Sequence, residues 1–216
     1  MKKIQSILFA LLILVTIQAC NKDEEEESVT LGGDQSPMGN VGTTVSSGDS
    51  WVPGVTSCSA IVTALQEGVS VYSGSGVVTN DAIKNVLSNY PQFIIKGDTV
   101  SVKDVKIKST TEGIESVYGL LPGIIVKYSS GVGDTYPIGS TGDVRTVVSK
   151  STTDDYSYGF FLIKVMKIEE KATALKNAGI SKITYWANHR FGLVGIEFAF
   201  DDGSNAKFPI YCSEEN

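Results

Sequence analysis

Apolar residues recur along this 216-residue chain in two rhythms. Spacings of three and four place Ile83, Val86, Leu87 and Tyr90 on one face, with Asn80-Asp81 ahead as a cap and Pro91 behind as a stop, which predicts a helix. A second helix is expected from about Glu169 to Ala178: it begins with acids, gathers Ala172, Leu175 and Ala178, and ends at Gly179. A short third one, Ser59 to Glu67, turns Ile61, Ala64 and Leu65 inward and stops at Gly68. Period-two alternation marks strands at Val69 to Tyr72, Val105 to Ser109 and Ile180 to Ala187, and again where Ile196, Phe198 and Phe200 alternate with Glu197, Ala199 and Asp201. Between Val100, Val102 and the later Val105, Ile107 the alternation slips by one, so a bulge or turn is expected at Lys103-Asp104. The stretch "YGFFLIKVMKI", residues 158–168, reads as one long apolar strand leading into the second helix.

Two of these segments resemble each other. "GIIVKYSSGVGDTYPI" (123–138) and "GIEFAFDDGSNAKFPI" (195–210) align without a gap, sharing Gly123 with Gly195, Ile124 with Ile196, Gly131 with Gly203, Pro137 with Pro209 and Ile138 with Ile210. About one identity would arise by chance in such a window, so an internal duplication is inferred, about 80–138 and 167–212. Each copy is expected to be a helix, a strand and then a hairpin, with Ser130-Gly131 and Asp202-Gly203 as the turns. The fold class expected is α+β, with antiparallel sheets built from two related helix-plus-strands units. This layout, over about residues 80–212, is similar to the tandem units of PepSY-like and β-lactamase-inhibitor proteins. The phrase "ISKITYWANHRFGLVGIEFAFDDG" (180–203) also looks like the paired strands of jacalin-type lectins, a fold the expected helices oppose.

The N-terminus carries an address. Lys2 and Lys3 precede an unbroken apolar run, Ile7 to Val15, too short for the roughly 20 residues a bilayer span needs. Residues 1–19 therefore read as a signal peptide. Ile17-Gln18-Ala19-Cys20 resembles the lipobox of bacterial lipoproteins, which implies lipidation at Cys20. The following Lys22-Asp23-Glu24-Glu25-Glu26-Glu27 looks like the export signal of Bacteroidota surface lipoproteins. The resemblance implies an outer-membrane lipoprotein displayed at the cell surface, with a periplasm-facing one as the alternative; its membrane partner is reached through the N-terminal lipid. Residues 28–50, rich in Gly, Ser, Thr and Asp, extend a flexible tether, so 20–50 is expected to be linker and 51–216 a single domain starting near Trp51.

Charge then excludes one class of partner. The chain is at −6, but residues 51–216 hold 15 Lys and Arg against 17 Asp and Glu, so the acidity sits in the tether and no basic surface recruits nucleic acid. Cys58 and Cys212 form an even pair in an oxidising compartment, a candidate disulfide or two separate thiols.

No catalytic set assembles from the remaining residues. His189, the one histidine, sits between two strands and reads as a turn residue. Two cysteines and one histidine fit no zinc spacing, so no metal and no cofactor are expected. The acid pairs Asp154-Asp155, Glu169-Glu170 and Asp201-Asp202 read as turn or helix-start residues rather than as carboxylates facing across a cleft. The candidate ligand-binding surface is Tyr156 and Tyr158, among polar residues in "TTDDYSYGFF", together with Trp186, opposite in phase to Tyr185. The expectation is a non-catalytic binding module for a protein or other macromolecule; a glycan-binding accessory protein and an inhibitor of a secreted enzyme are the alternatives.

Overall fold

The computed structural model describes residues 31–47, 54–118, 122–139 and 142–213. The expected signal peptide, Cys20 and the acidic stretch behind it lie outside those residues, as does Trp51. The expected α+β layout does not form. Among the described residues strands make up about 60% of the structure and helix about 7%, folded as a curled antiparallel β-sandwich.

One sheet holds β1 (Thr44–Ser46), β2 (Val55–Gln66), β3 (Val69–Val78), β4 (Phe93–Lys96), β5 (Thr99–Thr110), β6 (Gly113–Tyr118), β7 (Gly123–Lys127) and β16 (Tyr211–Ser213). Its order is β16-β1-β2-β3-β5-β6-β7, with β4 also on β5. The other sheet holds β8 (Thr135–Pro137), β9 (Val144–Lys150), β12 (Met166–Lys171), β13 (Ile180–Asn188), β14 (Gly192–Phe200) and β15 (Asn205–Pro209), ordered β15-β14-β13-β12-β9-β8. A separate hairpin pairs β10 (Tyr156–Tyr158) with β11 (Phe161–Ile163). The main core joins Ile114, Ile124 and Val126 of the first sheet to Val147, Ile168, Ile183 and Tyr185 of the second.

The helix expected at Ser59 to Glu67 is the C-terminal part of β2 and the first residue of the turn that follows it. Its three-and-four spacing is a strand alternation broken by a register shift between Val62 and Ala64. Gly68 does not stop a helix: Glu67 and Gly68, at φ +51° and +80°, form the two-residue turn into β3 that the twist of a hairpin demands. The helix expected over Glu169 to Ala178 is also overturned. Glu169 and Glu170 lie in β12, and only a 3-10 turn, Thr173–Ala178, follows before Gly179 takes the left-handed conformation expected of it. The first helix does form, as α1 (Asp81–Leu87), and Asn80 Oδ1 accepts the Ile83 N–H at 3.1 Å. At Lys103-Asp104 the chain bulges as its pattern predicts, with Asp104 at φ +59°. That bulge bends β5, so one edge pairs with β4 before it and with β6 after it.

The two halves of the repeat differ in pairing. Residues 195–210 make a hairpin, with Ile196 opposite Phe208. In residues 123–138, β7 ends one sheet and β8 begins the other, so the chain turns a corner between layers. Tyr136 still reaches back, its hydroxyl accepting the Lys127 N–H at 3.3 Å. Residues 31–47, expected in the tether, belong to the sandwich: Leu31 is buried, its N–H donates to Glu115 at 2.9 Å, and β1 pairs with both β2 and β16. Backbone pairing on both edges holds β1 without the apolar alternation that would have announced it.

Candidate functional site

The expected strand at 158–168 is broken at Gly159-Phe160 and again at Lys164-Val165, between β10, β11 and β12. Tyr158 pairs with Phe161, leaving Gly159-Phe160 as a two-residue loop, and Gly159 supplies the positive φ, +58°, required at its first position. The hairpin is fastened at its base. Ser151 N–H donates to Val165 O at 2.8 Å, Asn188 Nδ2 donates to Lys164 O at 2.7 Å, and Tyr158, Ile163, Val165 and Val194 are buried together.

Its tip carries three apolar side chains into solvent. Phe160 is fully exposed at 104%, Phe161 is 69% exposed and Leu162 60%. Three adjacent large apolar residues exposed together on a fastened turn are unlike the single exposed leucines common on any surface. The sequence reading missed them because an apolar run looks like core; the signal that could have found them is Gly159 between two aromatic residues.

Of the three residues expected to form a binding surface, two meet and one turns inward. Tyr156 and Trp186 lie with ring centroids 6.0 Å apart on the outer face of the second sheet. Gly195 provides the room: a Cβ there would collide with the Tyr156 hydroxyl, which donates to Val194 O at 3.4 Å. Tyr158 is buried rather than displayed, packed 5.0 Å from Phe191 and 5.4 Å from Tyr211, and its hydroxyl accepts the Cys212 N–H at 3.3 Å. It clamps the hairpin to β16 instead of facing a ligand. Burial, then Tyr211 and Glu197, push the Tyr156 hydroxyl up to about 12, so it stays a donor across the physiological range.

Lys207 completes the cluster. Its ammonium lies 4.1 Å from the Trp186 centroid and 4.6 Å from that of Tyr156, and burial lowers its pKa against the pull of Glu197. Lys167 also approaches Trp186, at 5.9 Å, but it is paired with Glu169 at 2.8 Å. The aromatic pair is therefore already capped by a cation.

The other candidates disperse. Cys58 and Cys212 are free thiols. Cys212 pairs with Val45, which pairs with Ala60 across β1, so two strand spacings of about 4.8 Å keep Cys212 from β2, beyond the roughly 7 Å limit between the α-carbons of a disulfide. His189 lies exposed in the turn from β13 to β14, whereas the Cys58 thiol donates to Thr56 O at 3.8 Å on β2. Glu169 and Glu170 take opposite faces of β12: Glu169 meets Lys167 and Lys182 outside, and Glu170 meets Arg145 and Tyr185 inside. Asp155 accepts from Ser151 and Asp202 from Ser204, each within its own turn. Among the described residues no group of three His, Cys, Asp or Glu side chains could hold a metal, and no helix is long and apolar enough to cross a membrane.

Comparison with protein-family models, with curated proteins and with solved structures finds no match to this chain.

Proposed function

We propose that this chain is a non-catalytic lipoprotein of the cell envelope, displayed at the surface, that captures a protein partner through the β10–β11 hairpin. The observation that carries this reading is the tip: Phe160, Phe161 and Leu162 stand exposed on a loop whose base is buried. Aromatic anchors that enter an apolar pocket dominate protein interfaces, and a fastened hairpin loses little freedom on docking. The address rests on the lipobox-like residues before Cys20 and the acids after it.

A photo-crosslinking side chain at position 160 of the full chain in cells tests this. A discrete protein adduct is expected, and binding of that purified partner should weaken at least tenfold in Phe160→Ser/Phe161→Ser with unchanged melting temperature. Adducts to lipid alone, or a partner bound equally by the double variant, would sink the reading.

Lys207 favours a second reading. Partly buried between two rings, it makes no ion pair among the described residues, so the Tyr156–Trp186–Lys207 cluster suits a carboxylate-bearing sugar better than a neutral one, whose face would have to displace the ammonium. A glycan array that lights up on acidic sugars and goes blank with Lys207→Gln would move the weight there.

A further inference from the structure

Among the described residues β15 pairs with β14 alone, so its other side is a sheet edge. The Phe200 N–H donates to Ser204 O at 2.9 Å and the Ile210 N–H to Val194 O at 3.1 Å, and between them Ala206 stands opposite Phe198 and Phe208 opposite Ile196. The even-numbered residues of β15 therefore bond to β14. In an antiparallel ladder successive residues turn their backbone groups to opposite sides, so Asn205 and Lys207 point their N–H and C=O away from the sheet. Both residues are exposed. Pro209, next in that row, has no N–H to donate, which keeps the edge short. The edges of the first sheet are engaged by side chains instead: Tyr136 accepts the Lys127 N–H on β7, and Tyr158 accepts the Cys212 N–H on β16.

The groups beside this edge define what pairs with it. Its inner side, that of Ala206 and Phe208, borders an open apolar groove of about 280 Å³ where Phe198 and Phe208 face Val55 and Cys58 of β2. On the outer side Lys207 holds its charge over Tyr156 and Trp186 and makes no ion pair among the described residues. Its exposed, flexible four-carbon stem also reaches the free side of the strand. A row of backbone donors and acceptors calls for another backbone, the groove calls for apolar residues at alternate positions, and Lys207 calls for an acid between them. A second copy of β15 is a poor fit, because its Lys207 would come alongside this one on the same face. The chain's own acidic run, Asp23 to Glu27, has no apolar residue to alternate.

We infer that β15 is a docking edge for an extended segment of another protein, which adds beside it as a strand, with an acid opposite Lys207 and apolar residues at the two positions flanking that acid. This goes beyond the hairpin reading and does not use the hairpin tip.

NMR titration with amide hydrogen exchange tests it. The full chain carrying Cys20→Ser is titrated with a blocked five-residue peptide, threonine-valine-glutamate-valine-threonine, with the same peptide carrying lysine at its centre, and with glucuronate. The glutamate peptide should saturate, and at saturation exchange of the Asn205 and Lys207 amides should slow at least tenfold, since those N–H groups pass from water to a backbone partner. The amides of Phe160 to Leu162 should not shift, which separates this edge from the hairpin. The lysine peptide should bind at least tenfold more weakly, and Lys207→Glu should reverse that order. Should that variant fail to fold, Lys207→Gln should bring the two peptides to equal affinity. No saturation by the glutamate peptide, saturation without slowed exchange at Asn205 and Lys207, shifts centred on the hairpin, or a peptide order indifferent to residue 207 would each overturn the inference. If only glucuronate saturates, Lys207 serves an acidic sugar and the inference falls.

Discussion

Arg145 on β9 and Glu170 on β12 stand directly opposite in the ladder and meet at 2.5 Å, with neither side chain exposed to solvent. The Tyr185 hydroxyl donates to the other carboxylate oxygen at 2.9 Å, and Arg145 Nη1 donates to Ile124 O at 2.9 Å and Pro122 O at 3.2 Å. The guanidinium thus occupies carbonyls at β7, where the first sheet ends, and ties that edge to the second sheet. Removing it strands both a buried charge and those carbonyls. Arg145→Met should cost about 3–5 kcal/mol in urea unfolding. Arg145→Met/Glu170→Met should recover much of this but not all, because the carbonyls stay unpaired.

Burial holds Glu170 above the usual carboxylate range, against the pull of Arg145 and Tyr185. The native state therefore binds this proton more readily than the unfolded chain, and stability from this group declines as pH rises from the ordinary glutamate value through the raised one. Glu170→Gln should flatten that part of the stability-pH curve. An unchanged curve would refute the assignment.

The Cys212 thiol is pushed up to about 11 by burial. Its alkylation rate should keep rising about tenfold per pH unit beyond the ordinary thiol value near 9, with no plateau until about pH 11. The same shift makes stability fall as pH climbs through that window, since the folded state keeps the proton longer than the unfolded one. A rate that levels off near pH 9 would show the thiol to be solvated.

Tyr156 lies over Gly195, so Gly195→Ala should push the ring away and loosen the hairpin, costing about 1–3 kcal/mol as overpacking does. Tyr156→Phe removes the colliding hydroxyl. A double-mutant cycle read by thermal unfolding should therefore give coupling of about 0.5 kcal/mol or more; strict additivity would mean the two residues do not touch.

Glu67 carries a side chain at φ +51° in the β2–β3 turn, where Asn is the favoured partner of a following Gly. Glu67→Asn should stabilise the fold by about 0.5–1 kcal/mol, an increase of about 1–4 °C in melting temperature for a chain this size. Calorimetry decides it.

Much of the local structure was legible without coordinates. The Asn80 cap, the bulge at Lys103-Asp104, the left-handed Gly179 and the hairpin at Asp202-Gly203 are each fixed by the φ range or hydrogen-bonding reach of a residue and its immediate neighbours. The alternation of Tyr185 and Trp186 likewise sets which ring enters the core and which stays outside. Tertiary structure decided the rest. Segments with a helical spacing became strands because β2 pairs with β1 and β3 and β12 with β9 and β13, and register shifts interrupt their alternation. The repeated segments diverged in pairing: residues 195–210 stay in one sheet, whereas β7 and β8 lie in different sheets, and Arg145 on β9 donates to the Ile124 carbonyl of β7. The exposure of Phe160 and the capping of Trp186 by Lys207 depend on how distant strands approach one another. Periodicity along a chain records which residues share a face, and only packing determines what that face meets.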